Sequence, residues 1–403
     1  MPQAICAPYD GQPGKRRHRF LPSRGIRPTA LRQPTCLRDD HRVTRAADLG
    51  IKIGTLPSGQ TASIVDVPGV GVGHATVWRD EPGPPDGRGV ARTGVTVIDI
   101  GGNLFRSPVP AGGAVLNGAG ECTGFITAGE WGLVETPIFL TSTMQVGRVY
   151  DAACELLMAE DPAIGRDEVI IPVVAECDDS FLSESRRMQV STDDVRSALE
   201  AARDGVGGLA PDEGAVGSGT GMSCLGFKGG IGSSSRLTPS GHVVGALVMT
   251  NFGEQDRLTV DGVPVGRMLP SAEDPAGWPP PAGSCITIVV TDAPLDSAAC
   301  ARLARRAGLG LARTGSTANH GSGEIFLAVA TGRRAPRGTT PAGRDLMTGS
   351  ELNPFFEAVV DATEEAVLNS MLAAPTVVGR DGNYSRGLPA DRVAELLSAA
   401  GRI

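Results

Sequence analysis

Ala282-Gly283-Ser284-Cys285-Ile286-Thr287-Ile288-Val289-Val290 is the stretch on which the reading of this chain turns. A hydroxyl residue follows a glycine directly and precedes an apolar, β-branched run that reads as a buried strand. Upstream, Asp274-Pro275-Ala276-Gly277-Trp278-Pro279-Pro280-Pro281 reads as a stiff, exposed loop without strand character. This order suits self-cleavage. The Ser284 hydroxyl attacks the Gly283 carbonyl, an N-to-O acyl shift gives an ester, and water releases a new N-terminus. Glycine adopts the strained backbone such a step asks for. The freed α-amine has an ordinary pKa of about 7.7–8.0 and sits on the nucleophile's own residue, placed to act as its general base. Taken alone, a Gly-Ser before a strand is more often a simple turn, so the rest of the chain has to carry the reading.

The chain has 403 residues, a length that fits two domains or one large α/β unit. Its 55 glycines and 30 prolines are spread along it, which reads as many turns and excludes a collagen-like or low-complexity protein. Aromatics are only 4%, so the core is expected to be Val, Leu, Ile and Ala. A formal charge of −8 argues against a nucleic-acid partner. None of the eight cysteines forms a CxxC pair or a Cys/His cluster of zinc spacing, so no metal is expected. No apolar run reaches the ~18 residues of a membrane helix. These features lead to the expectation of a soluble, cytoplasmic protein with reduced thiols and no membrane partner. Residues 1–46 stand apart: ten Lys/Arg against three Asp leave them at +7 and the remainder at −15. They read as a disordered basic tail or a misassigned translation start, with a nucleic-acid or membrane arm as the sharper alternative.

From residue 47 the pattern turns globular. Strands are expected at Ala62–Val67, Gly94–Ile100, Glu168–Val174, His242–Thr250, Cys285–Val290 and Glu324–Thr331. Helices are expected at Gln145–Met158, Asp193–Arg203, Ser297–Arg313, Pro354–Ala373 and Pro389–Ala399. Asn353 before Pro354, and Asp296 or Ser297, read as N-caps. Strands and helices come in clusters, which implies layered α+β packing rather than a strictly alternating parallel sheet.

Further constellations carry possible chemistry. In Asn319-His320-Gly321-Ser322-Gly323-Glu324, Ser322 and Glu324 share one side of an extended chain. They can orient protons for a nucleophile, or form a serine turn with a strand-edge glutamate. Asn251-Phe252-Gly253 ends an apolar run, where the Asn251 amide can donate to an oxyanion or simply terminate the strand. Glu176 and Asp178, in Ala175-Glu176-Cys177-Asp178-Asp179-Ser180, can bind a substrate ammonium or form a solvated loop. Gly217-Ser218-Gly219-Thr220-Gly221-Met222 with Phe227-Lys228-Gly229-Gly230-Ile231-Gly232-Ser233-Ser234-Ser235-Arg236 lacks the order of a phosphate loop. It reads as a hairpin in close backbone contact or as a wall of the site. His74 reads as structural. A Ser-His-Asp triad on a nucleophile elbow is absent.

Together these stretches resemble the L-aminopeptidase/D-Ala-esterase-amidase family, peptidase family S58, which includes the bacterial β-aminopeptidases. The resemblance runs from about Leu49 to the C-terminus. It adds Gly71-Val-Gly-His-Ala-Thr-Val77, Asn117-Gly-Ala-Gly-Glu-Cys-Thr-Gly124, Gly132-Leu-Val-Glu-Thr-Pro-Ile138 and Thr291-Asp-Ala-Pro-Leu295 to the motifs above. It implies a four-layer αββα sandwich of N-terminal-nucleophile type, self-cleaved into an α chain (47–283) and a β chain (284–403). It implies Ser284 as nucleophile, Ser322 and Glu324 as its supporting pair, Asn251 at the oxyanion and Glu176 near the substrate amine. It further implies small peptide or amino-acid amide substrates, no cofactor, and a tetramer of processed units. Where the family often has Tyr or Trp and then Asp-Gly after the glutamate, this chain has Cys177-Asp178-Asp179-Ser180. Asp178 is therefore expected to strengthen the demand for a cationic N-terminus. Acyl transfer of the ornithine acetyltransferase type is the alternative, opposed by a serine where those enzymes use threonine. An inactive structural homologue is the other, opposed by the intact Gly283-Ser284 and Ser322-Gly-Glu324.

Overall fold

The apolar run after Ser284 lies inside a six-stranded sheet, fully buried on both faces. The computed structural model describes residues 44–270, 283–339 and 346–403. In chain order its strands are β1 (Gly71–Asp80), β2 (Val90–Asp99), β3 (Val109–Gly118), β4 (Leu133–Val134), β5 (Ile138–Ser142), β6 (Val173–Cys177), β7 (Ser223–Cys224), β8 (Phe227–Lys228), β9 (Gly230–Leu237), β10 (Val243–Asn251), β11 (Ser284–Thr291), β12 (Gly323–Ala330), β13 (Val377–Val378) and β14 (Tyr384–Ser385). Its helices are α1 (Phe125–Glu130), α2 (Val146–Glu160), α3 (Thr192–Asp204), α4 (Val265–Met268), α5 (Ser297–Thr314), α6 (Asn353–Leu372) and α7 (Ala390–Ala399).

One sheet has the order β1-β2-β5-β6 and the other β4-β3-β12-β11-β10-β9. Only β5–β6 and β11–β12 pair in parallel within them. Side-chain alternation along the strands separates three cores. Ile98, Leu140, Ala175, Leu247, Ile286, Ile288 and Leu327 point between the sheets. Their neighbours Val97, Phe139 and Val174 point outward onto Val149, Ala153 and Ala198 of α2 and α3. Val248, Cys285, Val289 and Phe326 point the other way onto Cys300, Leu303, Ala366 and Val367 of α5 and α6. The result is a four-layer αββα sandwich, as the resemblance implied.

The five expected helices all form, with shifted ends. Ser191 accepts from Asp194 N while Asp194 accepts from Ser191 N, a reciprocal cap for α3. Asp296 accepts from Ala299 N at 2.8 Å and starts α5. Asn353 is not a cap: a 3-10 turn, Gly349–Leu352, runs straight into it, and Pro354 fills the first turn of α6. Two expected strands are corrected. Ala62–Val67 holds a 3-10 turn, Ile64–Asp66, because the Asp66 carboxylate accepts from the Thr61 and Ser63 amides at 2.8 and 3.1 Å. The strand placed at Glu168–Val174 begins only after Pro172, which has no N–H for a ladder, and runs through Val173–Cys177. Glu176 is therefore a strand residue. Of the basic segment only residues 44–46 are described, and Arg45 joins the body through Glu213 at 2.8 Å and the Ala62 and Ser233 carbonyls. The rest of that segment and the Pro-rich stretch 274–281 lie outside the described residues.

Candidate active site

Three strand ends meet at one level. Asn251 closes β10, Ser284 opens β11, and Gly323 opens β12, and the three are paired across a single rung. The rung is held at Gly283, whose carbonyl accepts from the Gly323 N–H at 3.0 Å. A side chain on Gly283 would be a tight fit: a Cβ there would lie 3.0 Å from Ser322 Oγ and 3.2 Å from Phe252 Cα. The Ser322 hydroxyl thus sits directly beside the Gly283–Ser284 peptide.

Ser322 donates to Glu324 Oε1 in a short hydrogen bond. Ser284, Ser322 and Glu324 are all buried, Glu324 completely. Burial pushes the Glu324 carboxyl above its ordinary range, and the Ser322 hydrogen bond offsets part of that rise. Ser322 N donates to Asn319 O at 2.8 Å, and Asn117 Nδ2 reaches the Asn319 and His320 carbonyls at 3.0 and 3.1 Å. These bonds fix the turn that presents Ser322. On the open side a cavity of about 190 Å³ is lined by Phe252, Gly253, Gly283, Thr317, Asn319 and Ser322.

The Asn251 side chain is clamped at both ends. Its Oδ1 accepts from Ser223 N at 2.9 Å and its Nδ2 donates to the Asp178 carbonyl at 2.8 Å. Glu176 arrives from the other sheet. It accepts from Glu121 N at 2.8 Å and, in a short bond, from Thr143 Oγ1. Gly120 fits between it and β12: a Cβ on Gly120 would lie 3.0 Å from Glu176 Oε1 and 3.6 Å from Gly323 Cα. Burial raises the Glu176 pKa, the two donors oppose the rise, and the charges of Asp178 and Glu121 add to it. The Asp178 carboxylate turns back onto Ser180, accepting from its N and Oγ at 2.8 and 2.9 Å.

The structure therefore brings together Gly283, Ser284, Ser322, Glu324 and Asn251, with Glu176 adjoining across Gly120. Asp178 takes part through its carbonyl. Asn117, Glu121 and Thr143 were given no role from the sequence. The only signal for the first two was the run Asn117-Gly-Ala-Gly-Glu121, and nothing local marks Thr143. His74 is bound to Thr96 Oγ1 at 2.9 Å, and burial pulls its pKa down to about 4, as suits a structural residue. A larger cavity of about 610 Å³ holds none of these groups. Among the described residues no His, Cys, Asp and Glu side chains cluster to hold a metal ion.

The layered sheets and the buried serine at a strand start define the class: a hydrolase of the N-terminal-nucleophile fold. The profile of peptidase family S58 matches residues 62–385, and the chain belongs to that family. It is 38% identical to a β-peptidyl aminopeptidase of Sphingosinicella xenopeptidilytica, over 88% of this chain and 91% of the relative. Among solved structures, a Burkholderia sp. β-aminopeptidase superposes with a TM-score of 0.79 at 40% identity, covering 89% of this chain and 99% of the other. The L-aminopeptidase D-Ala-esterase/amidase of Ochrobactrum anthropi, described as a prototype of the serine aminopeptidases, gives 0.80 at 35% identity, with the same coverage. The enzyme is thus an aminopeptidase-type hydrolase.

Proposed function

We propose that the chain cleaves itself between Gly283 and Ser284 and then releases small N-terminal residues from peptides, amides or esters. Residues 47–283 and 284–403 become the α and β chains of one domain. The observation that carries this reading is the Gly283 carbonyl, pinned by the Gly323 N–H beside the Ser322–Glu324 pair.

In the precursor, Ser284 Oγ gives up its proton and attacks the Gly283 carbonyl. The C–N bond breaks, Ser284 N takes up a proton, and water hydrolyses the ester. In the mature enzyme the α-amine of Ser284 takes the Oγ proton, and Oγ attacks the substrate carbonyl. Asn251 Nδ2 donates to the oxyanion. The leaving amine receives the proton, and water frees the acyl group. Ser322 and Glu324 hold the nucleophile's surroundings and move protons. Glu176 receives the substrate ammonium, and Asp178 adds negative charge nearby. The β-peptidyl activity named for the Sphingosinicella relatives makes β-alanine amides first candidates beside L- and D-alanine amides. The six unpaired thiols among the described residues fit a reducing, cytoplasmic setting, and the tetramer of processed units that the family resemblance implies is kept as part of the proposal.

Denaturing electrophoresis with intact-mass analysis tests the proposal. Two fragments meeting at 283/284 are expected, with one uncut chain in Ser284→Ala that hydrolyses neither alanine nor β-alanine anilide. A single intact chain that is nevertheless active overturns it.

A further inference from the structure

Two buried titratable side chains with no role above flank the backbone that holds Asn251. Lys228, on β8, is 0% exposed. Its Nζ donates to the carbonyls of Gly219, Met222 and Gly229 at 3.0, 2.6 and 2.8 Å. All three of its N–H bonds thus serve main-chain oxygens. Burial pulls the pKa of the Lys228 amine down to about 7, while the three carbonyls accept from its protonated form. Asp179 is equally enclosed and accepts from Ser142 Oγ at 2.8 Å.

The covalent connections supply a reason for this arrangement. The Met222 carbonyl and the Ser223 N–H are the two ends of one peptide unit. Lys228 pulls on its oxygen, and its N–H donates to Asn251 Oδ1 at 2.9 Å. On the other side, the Asp178 carbonyl that accepts from Asn251 Nδ2 belongs to the peptide unit that leads into Asp179. Gly221, the residue before Met222, packs closely on Asp179: a Cβ there would lie 2.7 Å from Asp179 Cβ and 2.2 Å from the Arg92 carbonyl. Each clamp on Asn251 is therefore one peptide unit from a buried titratable side chain.

We infer that Lys228 and Asp179 are positioning residues for Asn251, Lys228 polarising the Met222–Ser223 peptide and Asp179 anchoring the Asp178 carbonyl. Hydrogen bonds in series strengthen one another. In the series Nζ–H···O=C–N–H···Oδ1=Cγ–Nδ2–H, the positive charge draws electron density toward itself. The last N–H becomes more acidic and donates better to an oxyanion. Asp179 fixes the plane from which it points. This rests on the reading of Asn251 as the oxyanion donor.

Steady-state kinetics on alanine or β-alanine anilide, with the processed enzyme, test it in a mutant cycle. Asn251→Ala is expected to lower kcat about a hundredfold. Lys228→Met should lower kcat about tenfold with KM changed less than about twofold, since its effect is confined to the transition state. The double variant should fall no further than Asn251→Ala alone, because Lys228 acts only through Asn251. Asp179→Asn should behave the same way and carries the test if Lys228→Met does not fold. If a variant stalls uncut, the rate of Gly283–Ser284 cleavage is followed in the same cycle. Losses that multiply in the double variant, or a full kcat in Lys228→Met, overturn the inference while leaving the Asn251 reading intact. If Asn251→Ala itself keeps full kcat, the oxyanion reading fails and this one with it.

Discussion

Glu176 is the residue at which charge and burial oppose each other most directly. It has to be ionised to receive an ammonium, yet enclosure and the nearby Asp178 and Glu121 charges raise its pKa. The sign follows: the carboxylate is lost as pH falls through a value above the ordinary carboxylate range. The Ser284 α-amine, as general base, sets one acidic limb of the kcat/KM profile; ionisation of Glu176 should add a second, Glu176 limb above the ordinary carboxylate range, and Glu176→Gln should remove that limb alone. The same change should cost about 2 kcal/mol, roughly thirtyfold in kcat/KM, the worth of a charged hydrogen bond. Asp178→Asn removes one of the charges that raise Glu176, so the limb should move to lower pH. It should also weaken the preference for free over blocked amines, measured on acetylated and free alanine anilides. An unchanged preference would count against any part for Asp178 in amine recognition. Its hydrogen bonds to Ser180 already occupy the carboxylate locally, which makes the charge rather than a direct contact the testable quantity.

The elements differ in how well the sequence disclosed them, and the glycines show why. Helices α3 and α5 announced themselves through their helical patterns, α5 also through its Asp296 cap, and β10–β12 through apolar runs. Strands β1, β3 and β9 did not, because each carries glycines where a helix lies against it. A Cβ on Gly73 would meet the Ala198 carbonyl of α3 at 2.2 Å, and one on Gly112 the Ser297 carbonyl at 2.4 Å. On Gly232 it would meet the Ala366 carbonyl of α6 at 1.9 Å. Strand β9 also hides a polar core: Ser233, Ser234, Ser235 and Arg236 are all buried, with Arg236 paired to Glu365 of α6 at 2.5 Å. Its partners are distant in sequence, so no local pattern reveals them. The site divides the same way. Ser284, Ser322, Glu324 and Asn251 stand in short motifs that make them candidates, whereas Thr143 and Lys228 reach the candidate site only through folded contacts. The packing predicts that Gly232→Ala lowers stability by about 1–3 kcal/mol, since α6 has to move off the sheet. Gly147→Ala, on α2 with nothing within 4 Å, should raise it by about 0.5–1 kcal/mol. Denaturant midpoints of the two variants against the parent read both; a Gly232→Ala protein as stable as the parent would show that the strand–helix approach is not constraining.

At the scale of the whole molecule, the edge formed by β3, β4 and α1 is unusual. Strand β4 pairs only with Val109 and Pro110, and the rest of β3 pairs with β12 alone. Along this edge Ile126 is 85% exposed and Trp131 65%, with Val115 and Leu116 about half exposed beside them. A group of large apolar side chains next to an open strand edge marks a surface that associates. A second copy of the chain is the partner that the proposed tetramer supplies. The edge also bears on catalysis, since Asn117 at the end of β3 holds the 319–320 turn and Glu121 before α1 holds Glu176. Introducing charge at the edge should therefore do two things at once. Ile126→Asp with Trp131→Asp is expected to reduce the particle mass seen by light scattering after size exclusion. It should also raise KM for the anilide, while cleavage at Gly283–Ser284, internal to one chain, proceeds as before. A double variant that keeps the parent's mass would place the contact elsewhere. A smaller particle with unchanged KM would separate assembly from the amine site.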